Sequence, residues 1–318
     1  MTFKKFPSIE QLHTIAREAL KYGKAGDKTF ISKVKLQGTN ACVQIHPDGS
    51  VKAQKRSGMI TPEHDNFDFA KWTEKNADWF KNIFLNFAKR MNGVVYVHGE
   101  WAGQGIQKSD AVSMCRRMFY IFMLEFPDGT TIIEQLPPFL ESNPDVAWIP
   151  PYRYYDNVNF FDDLKMSKFV EQIENDITEI SSIDPYIKLV HDIEGPGEGL
   201  VFYPIPFDPT LIFKVKTEAH MENKRKDLKI VSYTPETVKE IEDFADKYCT
   251  EPRYQQALTE LGIRDTFSIK DTGRFIGWVC KDVYKECPSE AEFNGFTWKD
   301  VATIVTNKAR YWFLKQVQ

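Results

Sequence analysis

The stretch Lys33-Val-Lys-Leu-Gln-Gly-Thr-Asn40 sets an amine, Lys35, at the end of an alternating segment and just before a Gly-Thr-Asn turn. A lysine amine in water has a pKa of about 10.4 and is a poor nucleophile, but neighbouring cations or burial lower that value and free its lone pair. Gly38 permits a tight turn, and Asn40 offers an amide beside it. Taken alone, the string reads more readily as an ordinary turn carrying a solvated lysine. Four further stretches give Lys35 company. Arg56 closes a strand-like run in Gln-Lys-Arg-Ser-Gly. Glu100 stands at a strand end before a glycine-rich loop, within His-Gly-Glu-Trp-Ala-Gly-Gln-Gly-Ile-Gln at 98–107, where a carboxylate can accept hydrogen bonds from a ribose. Glu198 precedes an apolar strand in Gly-Glu-Gly-Leu-Val-Phe-Tyr-Pro at 197–204, a position suited to a metal-binding carboxylate beside phosphates. Lys214 and Lys216 alternate along Ile-Phe-Lys-Val-Lys-Thr-Glu, so both project from one face of a strand. Two cations on one face next to a carboxylate call for an anionic ligand such as a phosphate.

These residues need a scaffold of strands. Phe30–Lys35, Ala41–Ile45 and Ser50–Lys55 carry strand formers, and Asp48-Gly49 between the last two marks a hairpin. Further strands are expected at Val94–His98, Phe119–Phe126, Thr131–Glu134, Leu200–Tyr203 and Leu211–Lys216, with a second Asp-Gly turn at Asp128-Gly129. Helical spacing predicts helices over 8–22, capped by Ser8 with Gln11 completing a capping box, over 69–91, and over 162–181. Hairpins and helices alternate without a βαβ rhythm, which implies an α+β domain of mostly antiparallel sheets over 1–233. Beyond that point the strands stop. Thr234 as N-cap and Pro235 at the first helical position open a helix whose buried face holds Val238, Ile241, Phe244 and Ala245. Helical spacing recurs through Phe275, Ile276, Val279 and Val283, then through Val301, Ile304, Val305 and Trp312, predicting a small all-helical domain over 234–318.

Composition narrows the class. The 318 residues are 42% hydrophobic and 27% charged, as in a soluble globular chain of roughly two domains. No apolar run is long enough to cross a bilayer, and the N-terminus has no apolar signal core. Cys42, Cys115, Cys249, Cys280 and Cys287 are odd in number and scattered, so reduced thiols in a cytoplasmic protein are expected, without a disulfide framework or zinc site. A net charge of −4 requires any nucleic-acid surface to be local. The candidate is the run 214–229, with Lys214, Lys216, Lys224, Arg225, Lys226 and Lys229, its last part reading equally well as a solvated linker.

In their order, these stretches resemble the motifs of the covalent nucleotidyltransferase superfamily, which comprises ATP-dependent DNA ligases, RNA ligases and mRNA capping enzymes. Lys35 to Asn40 resembles its KxxG element, Glu100 its third motif, Phe119–Phe122 the aromatic motif after it, Glu198 its fourth and Lys214–Lys216 its fifth. The wording KxxGTN, GExAGxGIQ, FYxF and EGxV is similar to that of the phage T4 RNA ligase 2 family, across residues 30–216. No run of strands after 233 provides for the OB-fold usual in DNA ligases and capping enzymes.

The resemblance implies a nucleotidyltransferase domain whose Lys35 takes AMP from ATP. The AMP then passes to a 5′-phosphate on RNA, and a 3′-OH displaces it. It further implies that Asn40 touches the AMP phosphate or a metal-bound water, Arg56 holds a phosphate, Glu100 binds the ribose and Phe122 stacks on adenine. Lys214 and Lys216 would neutralise the α-phosphate, and Glu198 would help hold Mg²⁺ (or Mn²⁺). The expected partner is RNA with 5′-phosphate and 3′-OH ends, nicks in duplex RNA in particular, met by a monomer. The basic residues Arg253, Arg264, Lys270, Arg274, Lys281, Lys299, Lys308 and Arg310 of the helical segment would help engage RNA, although each by itself reads as a solvated helix charge. Val34, Gln37, Met123 and Tyr203 replace the Glu, His, Asp and Lys of the phage pattern. These departures spare the nucleophile and the metal carboxylate, and bear on the metal environment and strand preference. A ligase with DNA or mixed-strand preference, a GTP-using capping enzyme and a non-catalytic RNA-end-binding relative are the alternatives.

Overall fold

The computed structural model describes residues 3–140, 142–221, 235–263, 267–286 and 298–317. In chain order the first half holds β1 (Glu10–Gln11), α1 (Leu12–Lys21), β2 (Lys28–Lys35), β3 (Thr39–Ile45), β4 (Val51–Lys55), β5 (Gly58–Ile60), α2 (Phe69–Lys75), α3 (Ala77–Arg90), β6 (Val95–Ala102), β7 (Met118–Glu125), β8 (Thr131–Ile132) and β9 (Val146–Trp148). Next come β10 (Arg153–Val158), α4 (Asp163–Ser182), α5 (Pro185–His191), β11 (Gly199–Ile205), β12 (Phe213–Lys216), α6 (Pro235–Asp246), α7 (Glu251–Leu261), α8 (Thr272–Glu286) and α9 (Trp298–Val317). The architecture is α+β.

The chain forms two compact units. The first takes 1–15, 29–156 and 174–227; the second takes 16–28, 157–173 and 228–318. Two sheets build the first unit. The five-stranded sheet runs β1-β12-β11-β2-β10, and the seven-stranded sheet runs β5-β4-β3-β6-β7-β8 with β9 beside β7. Pairing is antiparallel except at β1–β12 and β7–β9. Both Asp-Gly turns form as the sequence predicts. Gly49 and Gly129 take φ of 84° and 87°, and Asp48 and Asp128 accept from the amides of Ser50 and Thr130 at 2.8 and 2.9 Å.

The alternation of the seven-stranded sheet gives it two buried faces. Val43, Val97, Phe119 and Ile121 point to one side, where α2 and α3 cover them with Phe69, Phe80 and Phe84. Tyr120 and Phe122 point to the other side and share a core with Ile31, Val201 and Tyr203 of the five-stranded sheet. The face that carries the candidate residue Phe122 therefore lies between the two sheets. In the second unit, Ile241, Phe244, Phe275, Val279, Val301 and Phe313 make a separate helical core, with Leu164 of α4 packed against it.

Several expectations need correction. The first helix begins at Leu12, not Ser8, because Glu10 and Gln11 pair with Phe213 and Lys214 and their backbone belongs to the sheet. The helix expected over 69–91 is two helices, broken at Asn76. The strand expected at 211–216 starts at Phe213, since Pro209–Leu211 form a 3-10 turn capped by Asp208. Strands within 146–158 and the helix 185–191 are further regular structure beyond the sequence expectation, the helix opened by Asp184 as N-cap and Pro185 at its first position. Thr234, Cys287 and the basic run 224–229 lie outside the described residues, as does the side chain of Val238.

Candidate active site

The register of the five-stranded sheet gathers the cations. Gly199 of β11 faces Lys35 of β2 on one side and Lys216 of β12 on the other, so the two lysines flank one residue. One step before that glycine, Glu198 is buried, and its two carboxylate oxygens serve both amines. Oε2 meets Lys35 Nζ, and Oε1 lies 3.3 Å from Lys216 Nζ. Gly199 has φ of 145°, and a Cβ there would run into the Val215 carbonyl and the Lys216 backbone, so only glycine lets the three strands close at this row. Lys35 and Lys216 keep about a fifth of their side-chain surface exposed, which leaves the amines reachable. Lys214 sits one alternation below Lys216, as expected of a shared face. Burial pushes its amine down, and the charges of Lys216, Lys35 and Arg56 push it further.

The seven-stranded sheet supplies the opposite wall. Asn40 of β3 pairs in register with Glu100 of β6. Gly38, in the turn before β3, brings its amide close to Glu100, where its dipole favours the ionised carboxylate. A Cβ on Gly38 would lie 2.5 Å from the Trp101 carbonyl and 2.9 Å from Glu100 Cγ, so the tight Gly-Thr-Asn turn is a packing requirement. Burial pushes the Glu100 carboxyl up to about 7, and the nearby Glu198 charge adds to this. Lys35, the Gly38 amide and Arg56 act in the opposite direction. Arg56 is exposed in the turn between β4 and β5, yet its charge is felt by both Glu100 and Lys214, so it faces the same space.

Phe122 is buried in β7 on the inter-sheet face, and Phe119 falls on the opposite, helix-covered face as strand core. Phe6 meets the Phe122 ring edge-on at 5.4 Å. Of the positions that depart from the phage pattern, Val34, Met123 and Tyr203 are buried apolar packing, and Gln37 accepts from Ser109 at 2.9 Å.

Two features escape sequence reasoning. Lys33 is fully buried on the same face as Lys35. It donates to the Phe122 carbonyl at 2.7 Å and lies 4.3 Å from the Trp148 ring centre, with burial pushing its amine well down. The alternation of Lys33 and Lys35 is the available signal, but lysines are so seldom fully buried that it does not single out the first. Phe6 and Lys4 of the N-terminal segment are the second feature, and no local pattern marks them. Lys4 pairs with Glu125 while its carbonyl accepts from Gln54 at 2.8 Å.

The basic residues of the helical unit are not gathered in this way. Arg253 pairs with Asp282 at 3.0 Å and with Glu286, Lys308 pairs with Asp246 at 2.9 Å, and Arg274 with Asp271 at 3.3 Å. Arg310 donates to Asn307 at 3.2 Å. Arg264 and the side chain of Lys299 lie outside the described residues.

The site therefore brings together a part-exposed amine with a carboxylate on it, two further lysines on one strand face, and a second carboxylate on the facing sheet. Among the described residues no three His, Cys, Asp or Glu side chains come together to cage a metal ion. A lone carboxylate fits a hard divalent ion that takes its other ligands from phosphates and water, as Mg²⁺ does.

The model of the RNA ligase family matches residues 28–216, more than half of the chain, which takes in Lys33, Lys35, Asn40, Arg56, Glu100, Phe122, Glu198, Lys214 and Lys216 but not Phe6 or Lys4. Among solved structures the chain is similar to the RNA ligase of Naegleria gruberi. With the form holding ATP and Mn the identity is 20% and the TM-score 0.43; with AMP and Mn they are 20% and 0.42; with PPi, 19% and 0.44. Each likeness covers 71% of this chain and 60% of the other, so the chain spans about three-fifths of the length of those structures. By the family match over 28–216, the chain belongs to the RNA ligase family.

Proposed function

We propose that the chain is an ATP-dependent RNA ligase that joins 3′-OH and 5′-phosphate ends, nicks in duplex RNA above all, through a lysyl-AMP intermediate. The observation that carries this reading is the row Lys35–Gly199–Lys216 with Glu198 bridging both amines. Lys35 Nζ attacks the α-phosphorus of ATP. An N–P bond forms, the P–O bond to pyrophosphate breaks, and the amine loses its proton. Lys214 and Lys216 sit where negative charge gathers on the α-phosphate, which is the place for preorganised cations. A 5′-phosphate oxygen of RNA then displaces Lys35, giving AMP linked to the RNA end. A 3′-OH next attacks that end, and AMP leaves with the electrons of the broken bond.

Glu100 accepts from the ribose hydroxyls, Asn40 meets the AMP phosphate, Arg56 holds a phosphate with its planar fork, and Phe122 stacks on adenine. For Phe122 this requires the Phe6 ring to yield its edge-on contact. Glu198 is the residue that would hold Mg²⁺ (or Mn²⁺), which when bound neutralises phosphate charge. In the free protein the two lysines hold that carboxylate in place.

The test is incubation with Mg²⁺ and α-labelled ATP or, separately, GTP, before denaturation. Acid-labile label from ATP alone, absent in Lys35→Ala, is the expected result. Absence of label in folded, non-adenylylated protein would move the assignment to RNA-end binding. Label from GTP would point to capping chemistry. Sealing of nicked RNA against nicked DNA by labelled protein then fixes the strand preference.

A further inference from the structure

We infer that His220 is a positioning residue for this site, acting through Thr217 and Asp110 to hold the end of β12 and the segment before β11 in register around Glu198. The inference rests on the lysyl-AMP reading only for its kinetic readout. β12 is four residues long and ends at Lys216, so little ladder holds the residue that shares Glu198 with the nucleophile. Side-chain and backbone ties from the residues just after the strand make up for this. The Thr217 amide donates to the Glu198 carbonyl at 3.0 Å, and its hydroxyl donates to the Gly197 carbonyl at 3.4 Å. The same hydroxyl lies 2.9 Å from His220 Nδ1, and His220 Nε2 lies 2.8 Å from Asp110 Oδ1.

Asp110 is 2% exposed and belongs to the loop after Glu100 and β6. Its neighbour Ala111 donates to the Pro196 carbonyl at 2.9 Å. One loop thus grips both sides of Glu198, through Pro196 from below and through His220 and Thr217 from above.

A buried carboxylate paired with an imidazole in this way costs desolvation and is seldom a net gain in stability. Its use is positional: the close charge contact, made without hydrogen-bond geometry at either Asp110 oxygen, fixes where two chain segments meet. Thr217 is 1% exposed, so its hydroxyl serves this chain rather than a substrate. Without the imidazole, Thr217 keeps its bonds to Gly197 and Glu198 but loses its tie to the Asp110 loop, so the end of β12 that carries Lys216 is held less firmly against Glu198. Phe122, Asn40 and Arg56, on the other sheet, keep their places. The expected consequence is a slower chemical step with nucleotide affinity retained.

Single-turnover adenylylation over a range of ATP concentrations tests this, with rate and burst amplitude read separately. His220→Ala is expected to lower the maximal rate about 10- to 100-fold, as loss of an outer partner of a site carboxylate does. The half-saturating ATP concentration and the burst amplitude should stay within about threefold. Thr217→Val should fall as far, Thr217→Ser should keep the rate, and the double variant with His220→Ala should be no slower than either single one. A loss of amplitude or melting temperature with an unchanged rate would overturn the proposal and leave His220 as ordinary packing. Hydrogen exchange at the Thr217 amide gives a readout without turnover. Faster exchange in folded His220→Ala supports the clamp even if the wild type takes no label, in which case the ligase reading alone fails. Unchanged exchange overturns the clamp.

Discussion

The two sheets of the first unit treat their acidic residues in opposite ways. On the five-stranded sheet, Glu198 is ringed by cations, with Lys35 on one oxygen and Lys216 on the other. On the seven-stranded sheet, Glu100 feels the charges of Lys35 and Arg56 and the nearby Gly38 amide without an ion pair among the described residues, and burial pushes it up to about 7. One sheet pairs its carboxylate with charge, and the other buries its carboxylate beside apolar and aromatic side chains. Transition-state charge is best met by groups already oriented and already paired. A sugar hydroxyl needs only an acceptor, and that acceptor can be one that titrates.

Replacing residues on the two walls should therefore have different signatures. Glu198→Ala should produce the largest effect, a fall in adenylylation rate of about 10³-fold, because it leaves two lysines facing each other and, on the proposed reading, removes the carboxylate that would hold the metal. Rapid-quench measurement of label on the protein checks it. A loss of tenfold or less would show that the charged wall is less committed to chemistry than its pairing implies. Gly38→Ala comes next, with a destabilisation of about 1–3 kcal/mol from forcing a Cβ against the Trp101 carbonyl, read by urea unfolding.

Glu100→Gln should weaken ATP use about tenfold and change its pH dependence. In the wild type, the ionised acceptor grows in as the pH rises through about 7, so ATP affinity should rise across that range and level off above it. The amide variant should lack this inflection. The stability sign is opposite. A carboxyl raised above its ordinary 4.5 favours its protonated form in the folded chain, so its contribution is present below that value and lost as pH climbs through about 7. Glu100→Gln without nucleotide should therefore gain on the wild type at about pH 8, by about 1–3 kcal/mol, and not below about pH 4.5. Thermal melts at the two pH values decide it. Smallest of all, Arg56→Ala should cost only a few fold in rate, an effect that shrinks with added salt, since the side chain is exposed.

Motif residues are readable in the sequence because their chemistry forces local patterns. The two Asp-Gly turns, the alternation of Lys214 and Lys216, and the glycine before Thr39-Asn40 are all short-range. Such patterns come from φ/ψ limits and the two-residue period of a strand, which act over a few residues. The start of the first helix differs from expectation for the complementary reason. Ser8 and Gln11 satisfy a capping pattern, yet Glu10 and Gln11 pair with a strand some two hundred residues away. Burial of Lys33 is equally invisible in the sequence, because its partners, the Phe122 carbonyl and Trp148, arrive from another sheet.

By itself, then, the sequence determined the α+β class, the two Asp-Gly turns and the alternation that sets Lys214 and Lys216 on one strand face, and it singled out Lys35, Glu100 and Glu198 as candidates. Only the tertiary structure decided that Gly199 stands between Lys35 and Lys216, that one carboxylate serves both, and that the loop after Glu100 reaches His220 through Asp110. Residue type and spacing are properties of the local backbone. Register between distant strands and the burial of a charge depend on which surfaces close over each other, and no local segment encodes that.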